Sequence, residues 1–283
     1  MLGHLGKVLV EANDPIDYYV KLDEECLYLN SHIGANVTLI WTGTISCINC
    51  GNKTRKGYNQ GHCYPCFKKL ASCDLCVMSP ERCHYDSGTC RNPSWGESFY
   101  MWPHLVYLAN SSAIKVGITK EEHLPTRWID QGAVQALPII AVQTRQQSGF
   151  IEVAFKNHIG DKTQWQRMLK ADPLVDMHKI RDDLLDTVEP QLNALRQRFG
   201  IQAVKLLTDD TGVFRYPVLQ HPTNVNSVTF DKTPNISGVL LGMKGQYLIF
   251  DSGLVNLRKF TGYEIEFSAS SEKVECGRQL SLL

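Results

Sequence analysis

The chain has 283 residues, of which 43% are hydrophobic and 20% charged, and its formal net charge is zero. This composition supports a packed core and argues against wholesale disorder and against a protein that coats nucleic acid non-specifically. The N-terminal residues do not have the pattern of a secretory leader, so we expect none, and no apolar run approaches the ~18 residues of a membrane span. We therefore expect a cytoplasmic protein with no membrane partner. Its ten cysteines are then better explained as metal ligands or core residues than as disulfides.

Three apolar, β-branched runs open the chain, at 6–12, 25–30 and 36–46, and the last alternates partly with a period of two, which predicts a strand. They define an N-terminal strand segment, 1–46. The next segment, 47–98, is rich in cysteine and has little hydrophobic periodicity. This composition predicts a small module that metal ligands hold together in place of a core.

Two Cys-x2-Cys motifs separated by twelve residues begin this module. Each motif forms a tight knuckle that directs two sulfurs at one ion, and zinc prefers four tetrahedral ligands of this kind. An iron–sulfur cluster is the alternative, although its usual cysteine spacings are tighter. The predicted ligands of one structural zinc ion are Cys47, Cys50, Cys63 and Cys66.

A second set of cysteines follows, with a less regular spacing. It predicts a second zinc site, for which His84 and Glu81 are substitute ligands, or else a group of core thiols or a redox pair. The predicted ligands are Cys73, Cys76, Cys83 and Cys90. The isolated Cys26 and Cys276 are interpreted as small buried hydrophobic residues.

Basic residues lie between and after the first knuckles, and no acidic residue falls between Gly51 and Ser72. A basic zinc knuckle is suited to phosphate backbones, whereas the other interpretation is a solvated face. The candidate nucleic-acid-binding residues are Lys53, Arg55, Lys56, Lys68 and Lys69.

The segment 99–172 alternates strand-like and helix-like patterns. The pattern predicts strands at 105–109, 113–119 and 134–144. Helices are predicted at 121–131, 149–158 and 163–170.

The segment 173–200 is predicted to be one long amphipathic helix, which Asp176 caps, Pro190 kinks and Gly200 ends. Its apolar residues recur at three- or four-residue steps and share one face. These residues are Ile180, Leu184, Val188, Leu192, Leu195 and Phe199.

The segment 201–270 is β-rich, and a polar tail, 271–283, follows it. Its strands form either a small barrel that grips single strands, with Tyr216, Tyr247 and Arg258 as contacts, or part of a sheet shared with the N-terminal strands. We favour the shared sheet, because edge strands at both ends of the chain are stabilised by pairing. The predicted class is therefore α+β, with a cysteine-rich zinc module, a central α/β module and a β-rich part that combines N- and C-terminal strands.

The central module resembles the GIY-YIG nuclease superfamily. The resemblance rests on Val106-Tyr-Leu-Ala, on Lys115-Val-Gly-Ile-Thr, on Arg127-Trp and on Glu152. It implies that two short strands carry the paired motifs, that one helix presents an arginine, and that a later helix presents a metal-binding glutamate. The implied reaction is phosphodiester hydrolysis, which makes this protein a candidate nuclease.

The resemblance implies a role for each matching residue. Glu152 would hold a magnesium ion on a phosphate oxygen, Arg127 would neutralise charge on the phosphate, and Tyr107 would activate or orient water. Two positions depart from the motif. Lys115 replaces the second motif's tyrosine, and it would contact phosphate or act as a base. Gln131 replaces the usual histidine and is a poor base, which leaves open a weak site or a nucleic-acid grip without hydrolysis.

The whole chain also resembles an uncharacterised bacterial and archaeal family, a domain of unknown function, nearly from end to end. This resemblance includes Cys63-Tyr-Pro-Cys, Pro80-Glu-x-Cys-His, Arg127-Trp-x-x-Gln-Gly-Ala, Asp161-Lys-Thr-x-Trp and Gly245-Gln-Tyr-Leu-Ile. It implies no activity. The sequence as a whole predicts a zinc protein that binds DNA or RNA through a nuclease-like centre. A non-catalytic nucleic-acid-binding protein and a regulatory or assembly protein are the alternatives, and the oligomeric state is left open.

Overall fold

The computed structural model describes residues 1–160, 164–170, 173–222 and 225–273. The chain forms two compact units. The first combines Met1–Tyr64 with the chain from Arg215 onward, and the second is Pro65–Phe214. This division is coarser than the segments predicted from the sequence, whose boundaries stay predictions.

In chain order the strands are β1 (Leu2–His4), β2 (Leu9–Glu11), β3 (Asp17–Leu22), β4 (Glu25–Tyr28), β5 (Ala35–Ile45), β6 (His104–Asn110), β7 (Ile114–Thr119), β8 (Gln135–Val142), β9 (Lys205–Leu206), β10 (Gly212–Val213), β11 (Asn235–Lys244), β12 (Tyr247–Phe250), β13 (Gly253–Asn256) and β14 (Tyr263–Lys273). The α-helices are α1 (Tyr64–Lys69), α2 (Leu75–Met78), α3 (Pro93–Tyr100), α4 (Thr126–Asp130), α5 (Arg145–Lys156), α6 (Trp165–Met168) and α7 (Met177–Phe199). Together they confirm the α+β class.

The first unit is built on a six-stranded antiparallel sheet of order β1-β14-β5-β11-β12-β13. Its central strand β5 pairs on one side with β11, where Val37 faces Gly238, and on the other with β14, where Val37 faces Ala269. Strands from both ends of the chain therefore share one sheet, as the sequence predicts. The pairing satisfies the backbone of β5 on both edges, and the buried Val37 and Leu39 lie on its core face.

The first unit also contains a three-stranded sheet of order β2-β3-β4. Strand β3 is absent from the predicted strands, although its side chains alternate between buried and partly exposed. Tyr18, Val20 and Leu22 form its buried face. The period of two in Asp17–Leu22 is the sequence signal for this strand, and it is weak because the run is short and contains the charged Lys21.

The second unit contains the sheet β10-β8-β6-β7, with β9 paired to β8. Alternate residues of β6 face opposite sides of this sheet. Val106 and Leu108 join a core with Ile151 of α5 and Val188 of α7. On the other face, Tyr107 joins a smaller cluster with Trp128, Ala109, Ala133 and Ala136.

Three helices of this unit differ from their predicted bounds, and one of them, α6, ends at Met168, before the predicted limit at 170. The predicted helix over 121–131 is divided into a 3-10 turn at Glu121–His123 and the short α4, since the residue before Pro125 disfavours helical torsion angles. Helix α5 begins at Arg145, earlier than predicted. Thr144 and Gln147 form a reciprocal capping box there, which fixes the start.

The long helix α7 follows the prediction closely. Its first turn is capped by the Asp176 carboxylate, which accepts a hydrogen bond from the Lys179 amide at 3.0 Å. Gly200, with a φ of 93°, ends it, and Pro190 lies inside it. No helix in the described part of the chain is both long and apolar enough to cross a membrane.

Gly117 provides a test of the β6–β7 register, because it lies opposite Tyr107. A Cβ atom at Gly117 would lie 2.6 Å from the Tyr107 hydroxyl oxygen. We expect Gly117→Ala to lower the free energy of unfolding by about 1–3 kcal/mol, the usual cost of overpacking, in a denaturant titration. Gly160→Ala is the matched control, since a Cβ there meets no atom within 4 Å. Equal stability of the two variants would contradict this register.

Candidate metal centre and nuclease-like site

The first cysteine pair lies in a turn directly after β5. The chain reverses there, because the Thr54 amide donates to the Ile45 carbonyl at 2.9 Å and the Gly51 amide donates to the Cys47 carbonyl at 2.8 Å. A φ of 70° at Gly51 favours glycine at this turn. The knuckle geometry therefore forms from local hydrogen bonds.

The second cysteine pair begins after a turn in which the Tyr58 and His62 backbones exchange two hydrogen bonds of 2.8 Å. Cys63 follows this turn, and Cys66 lies on α1. The segment 47–66 thus contains two successive turns, each of which directs a pair of sulfurs. Its fold depends on those turns and not on a hydrophobic core.

The four sulfurs of Cys47, Cys50, Cys63 and Cys66 all lie within 4.8 Å of one another. Cys50 and Cys63 Sγ atoms are 3.8 Å apart. Tetrahedral zinc with Zn–S bonds of about 2.3 Å requires sulfurs separated by about 3.8 Å. The cluster therefore fits a zinc ion.

Backbone amides prepare Cys47 to act as a thiolate ligand. Burial alone would raise its pKa, but hydrogen bonds from the backbone of Cys63, Cys50 and Asn49 lower the pKa to about 6. Such amide–sulfur hydrogen bonds orient and stabilise metal-bound thiolates. None of the nine cysteines in the described part of the chain forms a disulfide.

The second predicted quartet has a different arrangement. Among the described residues, the second group whose ligand atoms lie within 4.8 Å of one another is Asp74, Cys76 and His84. This group includes the substitute ligand His84, and it omits Cys73, Cys83 and Cys90. The Cys76 sulfur lies 2.9 Å from the Tyr100 hydroxyl, and the Cys90 sulfur donates to the Asn92 carbonyl at 3.3 Å. A second zinc ion stays a prediction.

The isolated Cys26 differs from its interpretation as a buried hydrophobic residue. It is exposed on β4, because this strand has a mainly exposed pattern at one edge of the three-stranded sheet. The other isolated cysteine, Cys276, lies outside the described residues, as do Asp161 and the tail beyond 273.

Two of the residues that the resemblance names, Arg127 and Gln131, reach the Tyr107 hydroxyl. Tyr107 is fully buried on β6, and its oxygen accepts a hydrogen bond of 3.0 Å from the Gln131 amide. Burial raises the pKa of Tyr107, whereas the neighbouring Arg127 charge and the hydrogen bonds from Gln131 and Arg127 lower it. The neutral phenol thus connects the arginine of α4 with the glutamine that follows α4.

Glu152 reaches the same region from α5. Its charge acts on both Tyr107 and Arg145, and its carboxylate pairs with Lys156 at 3.2 Å. Only 14% of its side chain is exposed. Lys115 is buried on β7, in register with Ala109. Strand β6 and helices α4 and α5 of the second unit therefore bring a phenol, a guanidinium and a carboxylate close enough for the two charges to act on the phenol.

Arg145 is a further residue of this region, and it is absent from the residues that the sequence singled out. Its guanidinium donates to the Val77 carbonyl at 2.8 Å and lies 3.5 Å from His104 Nε2. Burial lowers the pKa of Arg145, and the charges of Arg127 and Glu152 act on it in opposite directions. No local signal identifies it, because all these partners come from other elements.

The five basic candidates are all exposed. Lys53, Arg55 and Lys56 lie on the loop between the two cysteine pairs, and the Lys56 ammonium lies 5.6 Å from the Tyr58 ring centre. Lys68 and Lys69 lie in the last turn of α1, where positive charge is favourable next to the carbonyl end of the helix. Their exposure is compatible with phosphate binding and equally with a solvated face.

A family model described as a protein of unknown function (DUF2797) matches residues 34–265. The chain belongs to this family. The match begins next to β5 and ends within β14, so the DUF2797 region includes the cysteine knuckles and the residues around Tyr107. No curated protein and no solved structure matches the chain.

The cysteine cluster of this DUF2797 protein makes a direct prediction about metal content. We expect Cys50→Ser to lose one equivalent of zinc and to lower the thermal unfolding temperature, because three thiolates bind more weakly than four and metal binding stabilises the folded segment. Elemental analysis of the purified variant and a thermal melt measure both effects. Cys26→Ser is the matched control, since Cys26 is exposed and outside both candidate metal groups. Unchanged zinc content in Cys50→Ser would remove Cys50 from the ligand set.

Proposed function

We propose that this DUF2797 protein is a zinc-stabilised nucleic-acid-binding protein whose Tyr107, Arg127 and Glu152 form a centre for magnesium-dependent phosphodiester hydrolysis. The observation that carries the proposal is the meeting of Arg127 and Gln131 at the Tyr107 hydroxyl, within the electrostatic influence of Glu152. The proposal includes the resemblance to the GIY-YIG superfamily and a cytoplasmic location.

The donor set around Glu152 is compatible with magnesium. This ion is commonly bound through one or two carboxylates together with substrate phosphates and water, so a single glutamate suffices on the protein side. Magnesium bound there would neutralise charge on a phosphate oxygen. Arg127 would stabilise the charge that develops on the same phosphate, and Gln131 would hold Tyr107 in position.

The zinc ion has a structural role in this proposal. The knuckle segment has few buried apolar side chains of its own, and four sulfurs arranged for one ion supply the missing constraint. The exposed Lys53, Arg55 and Lys56 would then provide phosphate contacts on an ordered loop. The proposed partner is accordingly DNA or RNA.

Binding without hydrolysis is the second candidate function, and the burial of Tyr107 favours it. A fully buried hydroxyl whose pKa is raised by burial has no direct access to bulk water. Gln131 has no titratable group that would compensate. In this case Arg127 and Lys115 would bind a phosphate group and leave the strand intact.

Substitution of Glu152 separates the two functions. We expect Glu152→Gln to reduce magnesium-dependent cleavage of single-stranded, duplex and structured DNA or RNA by at least about a hundredfold, because the amide cannot replace the charged metal ligand. Binding of the same strands should change little. Gel assays of cleavage and anisotropy measurements of binding give the two values.

The matched control is Glu189→Gln on α7, where the carboxylate pairs with Arg196 and lies outside this centre. Cleavage that persists in Glu152→Gln would remove the site assignment. Binding without cleavage in the unmodified protein would support the non-catalytic function.

The basic loop makes an independent prediction about affinity. Replacement of Lys53, Arg55 and Lys56 by alanine should weaken duplex binding and make the slope of log K against log salt shallower, by about 0.9 for each phosphate that the variant no longer neutralises. The control replaces Lys179, Lys205 and Lys232, three other exposed lysines, and so removes the same charge. Equal losses of affinity in the two triple variants would indicate a net-charge effect. Absence of any binding at low salt would favour a regulatory or assembly protein.

A further inference from the structure

Three aromatic side chains, Trp95, Phe99 and Trp102, lie on α3 and in the turn that follows it. We call these three residues the aromatic ladder. The rings of Trp95 and Phe99 stack with centroids 4.5 Å apart. Three residues beyond Phe99, Trp102 is 57% exposed, and the adjacent Met101 is 43% exposed. A large exposed aromatic surface is costly in water, so such a patch commonly marks a binding site.

The Lys120 ammonium places a positive charge beside this ladder. Its ammonium lies 5.7 Å from the Phe99 ring centre and 5.7 Å from the Trp102 ring centre. It also donates to the Ser98 carbonyl at 3.1 Å, which fixes it between the two rings. Glu122 lies 3.5 Å from the ammonium, but its side chain is 66% exposed and water screens the pair.

The backbone at Trp102 is held in place by a buried histidine. The His104 ring has Nδ1 2.8 Å from the Trp102 carbonyl, while its Nε2 faces Arg145. Burial and the nearby charges of Arg145, Lys120 and His123 lower the pKa of His104 to about 4. A neutral His104 donates from Nδ1, and the indole of Trp102 is presented to solvent on an anchored turn.

Arg145 links this surface to the centre around Tyr107. Its guanidinium carbon lies 5.0 Å from the Phe99 ring centre, and its charge interacts with those of Arg127 and Glu152. Lys120 and Arg145 therefore lie beside the same ring, and the charge of Arg145 is felt at the Tyr107 centre.

We propose that Trp102, with Lys120 beside it, is a stacking platform for an unpaired nucleobase of the strand that occupies the Arg127–Glu152 centre. The inference rests on the proposed function and adds to it the substrate class, a single-stranded or locally unpaired nucleic acid. An exposed indole takes any base face to face, and the adjacent cations hold the phosphates that flank it. Bases in a duplex are already stacked and do not reach this ring.

The charge around the platform selects this occupant over an apolar partner protein. Lys120 and Arg145 both lie beside the aromatic ladder, and the charge of Arg145 interacts with that of the proposed phosphate contact Arg127. An apolar partner would have to cover these charges without pairing them, which is costly. A polyanion with flat apolar bases satisfies both features.

Anisotropy titrations with a fluorescent oligo(dT) strand of about 15 nucleotides, a length within the site sizes of single-strand binders, test the platform. We expect Trp102→Ala to weaken binding of this strand about tenfold, the usual loss for one stacked base, and to change binding of a duplex of equal length less than about twofold. Trp102→Phe should retain most of the affinity, because phenylalanine still stacks. The matched control is Ile201→Ala, which removes another exposed apolar side chain of the same unit.

Each other result overturns the inference in a distinguishable way. If the unmodified protein binds oligo(dT) and Trp102→Ala binds it equally well, the platform is wrong and the proposed function stands. Equal losses for single strand and duplex would show a general contribution to affinity, without base stacking. If the unmodified protein binds neither these probes nor an oligo(U) strand of the same length, the proposed function fails together with the platform. A Trp102-dependent change in sedimentation without nucleic acid would identify a contact between copies of the chain instead.

Discussion

The packing of Tyr107 against Gly117 is the constraint on which the central site depends. The ring of Tyr107 occupies the space that a side chain at position 117 would need, so the β6–β7 pairing admits only glycine opposite the phenol. Tyr107 is thereby buried with its hydroxyl in a fixed position. Arg127 and Gln131 reach that hydroxyl from the α4 region. Without the glycine, the phenol would be displaced and this arrangement would be lost.

The same geometry contains a conflict between stability and reactivity. Burial of Tyr107 favours the neutral phenol and strengthens its polar contacts, since the local dielectric is low. Burial also separates the hydroxyl from solvent, which any hydrolytic role would have to overcome when substrate binds. The conflict between these effects is why hydrolysis and binding without hydrolysis are both chemically reasonable at this site. Glu152, which is partly exposed, is the group through which they are best separated.

The cysteine knuckles are stabilised by other interactions than the rest of the protein. The second unit is stabilised by apolar contacts between its sheet, α5 and α7. The knuckle segment is held by short-range turns and by four sulfurs arranged for one ion. Metal binding can supply the stability that such a small segment lacks. A basic loop held in this way is ordered at little cost in buried apolar surface. In the proposed function, this order is what the metal contributes.

Features that depend on residues close together in the chain were the most predictable from the sequence. The paired Cys-x2-Cys motifs identified four sulfurs that do lie together, because each knuckle is a local turn. The long helix was predicted from its cap at Asp176 to its end at Gly200 for the same reason. The residues around Tyr107 were named through a resemblance, and the geometry brings three of them into one electrostatic environment.

Features that depend on distant parts of the chain were decided only by the tertiary structure. The prediction that both chain ends share a sheet came from a general rule about edge strands, but the register of β5 between β11 and β14 did not. Arg145, His104 and the exposed Trp102 carry no local signal. Their contacts and exposure arise from elements that meet only after folding. The sequence by itself determined which cysteines form the four-sulfur cluster and where the long helix α7 begins and ends, because both depend on hydrogen bonds between residues close in the chain. The folded structure decided which side chains share a site, because burial and electrostatic interaction are set by residues far apart in the chain.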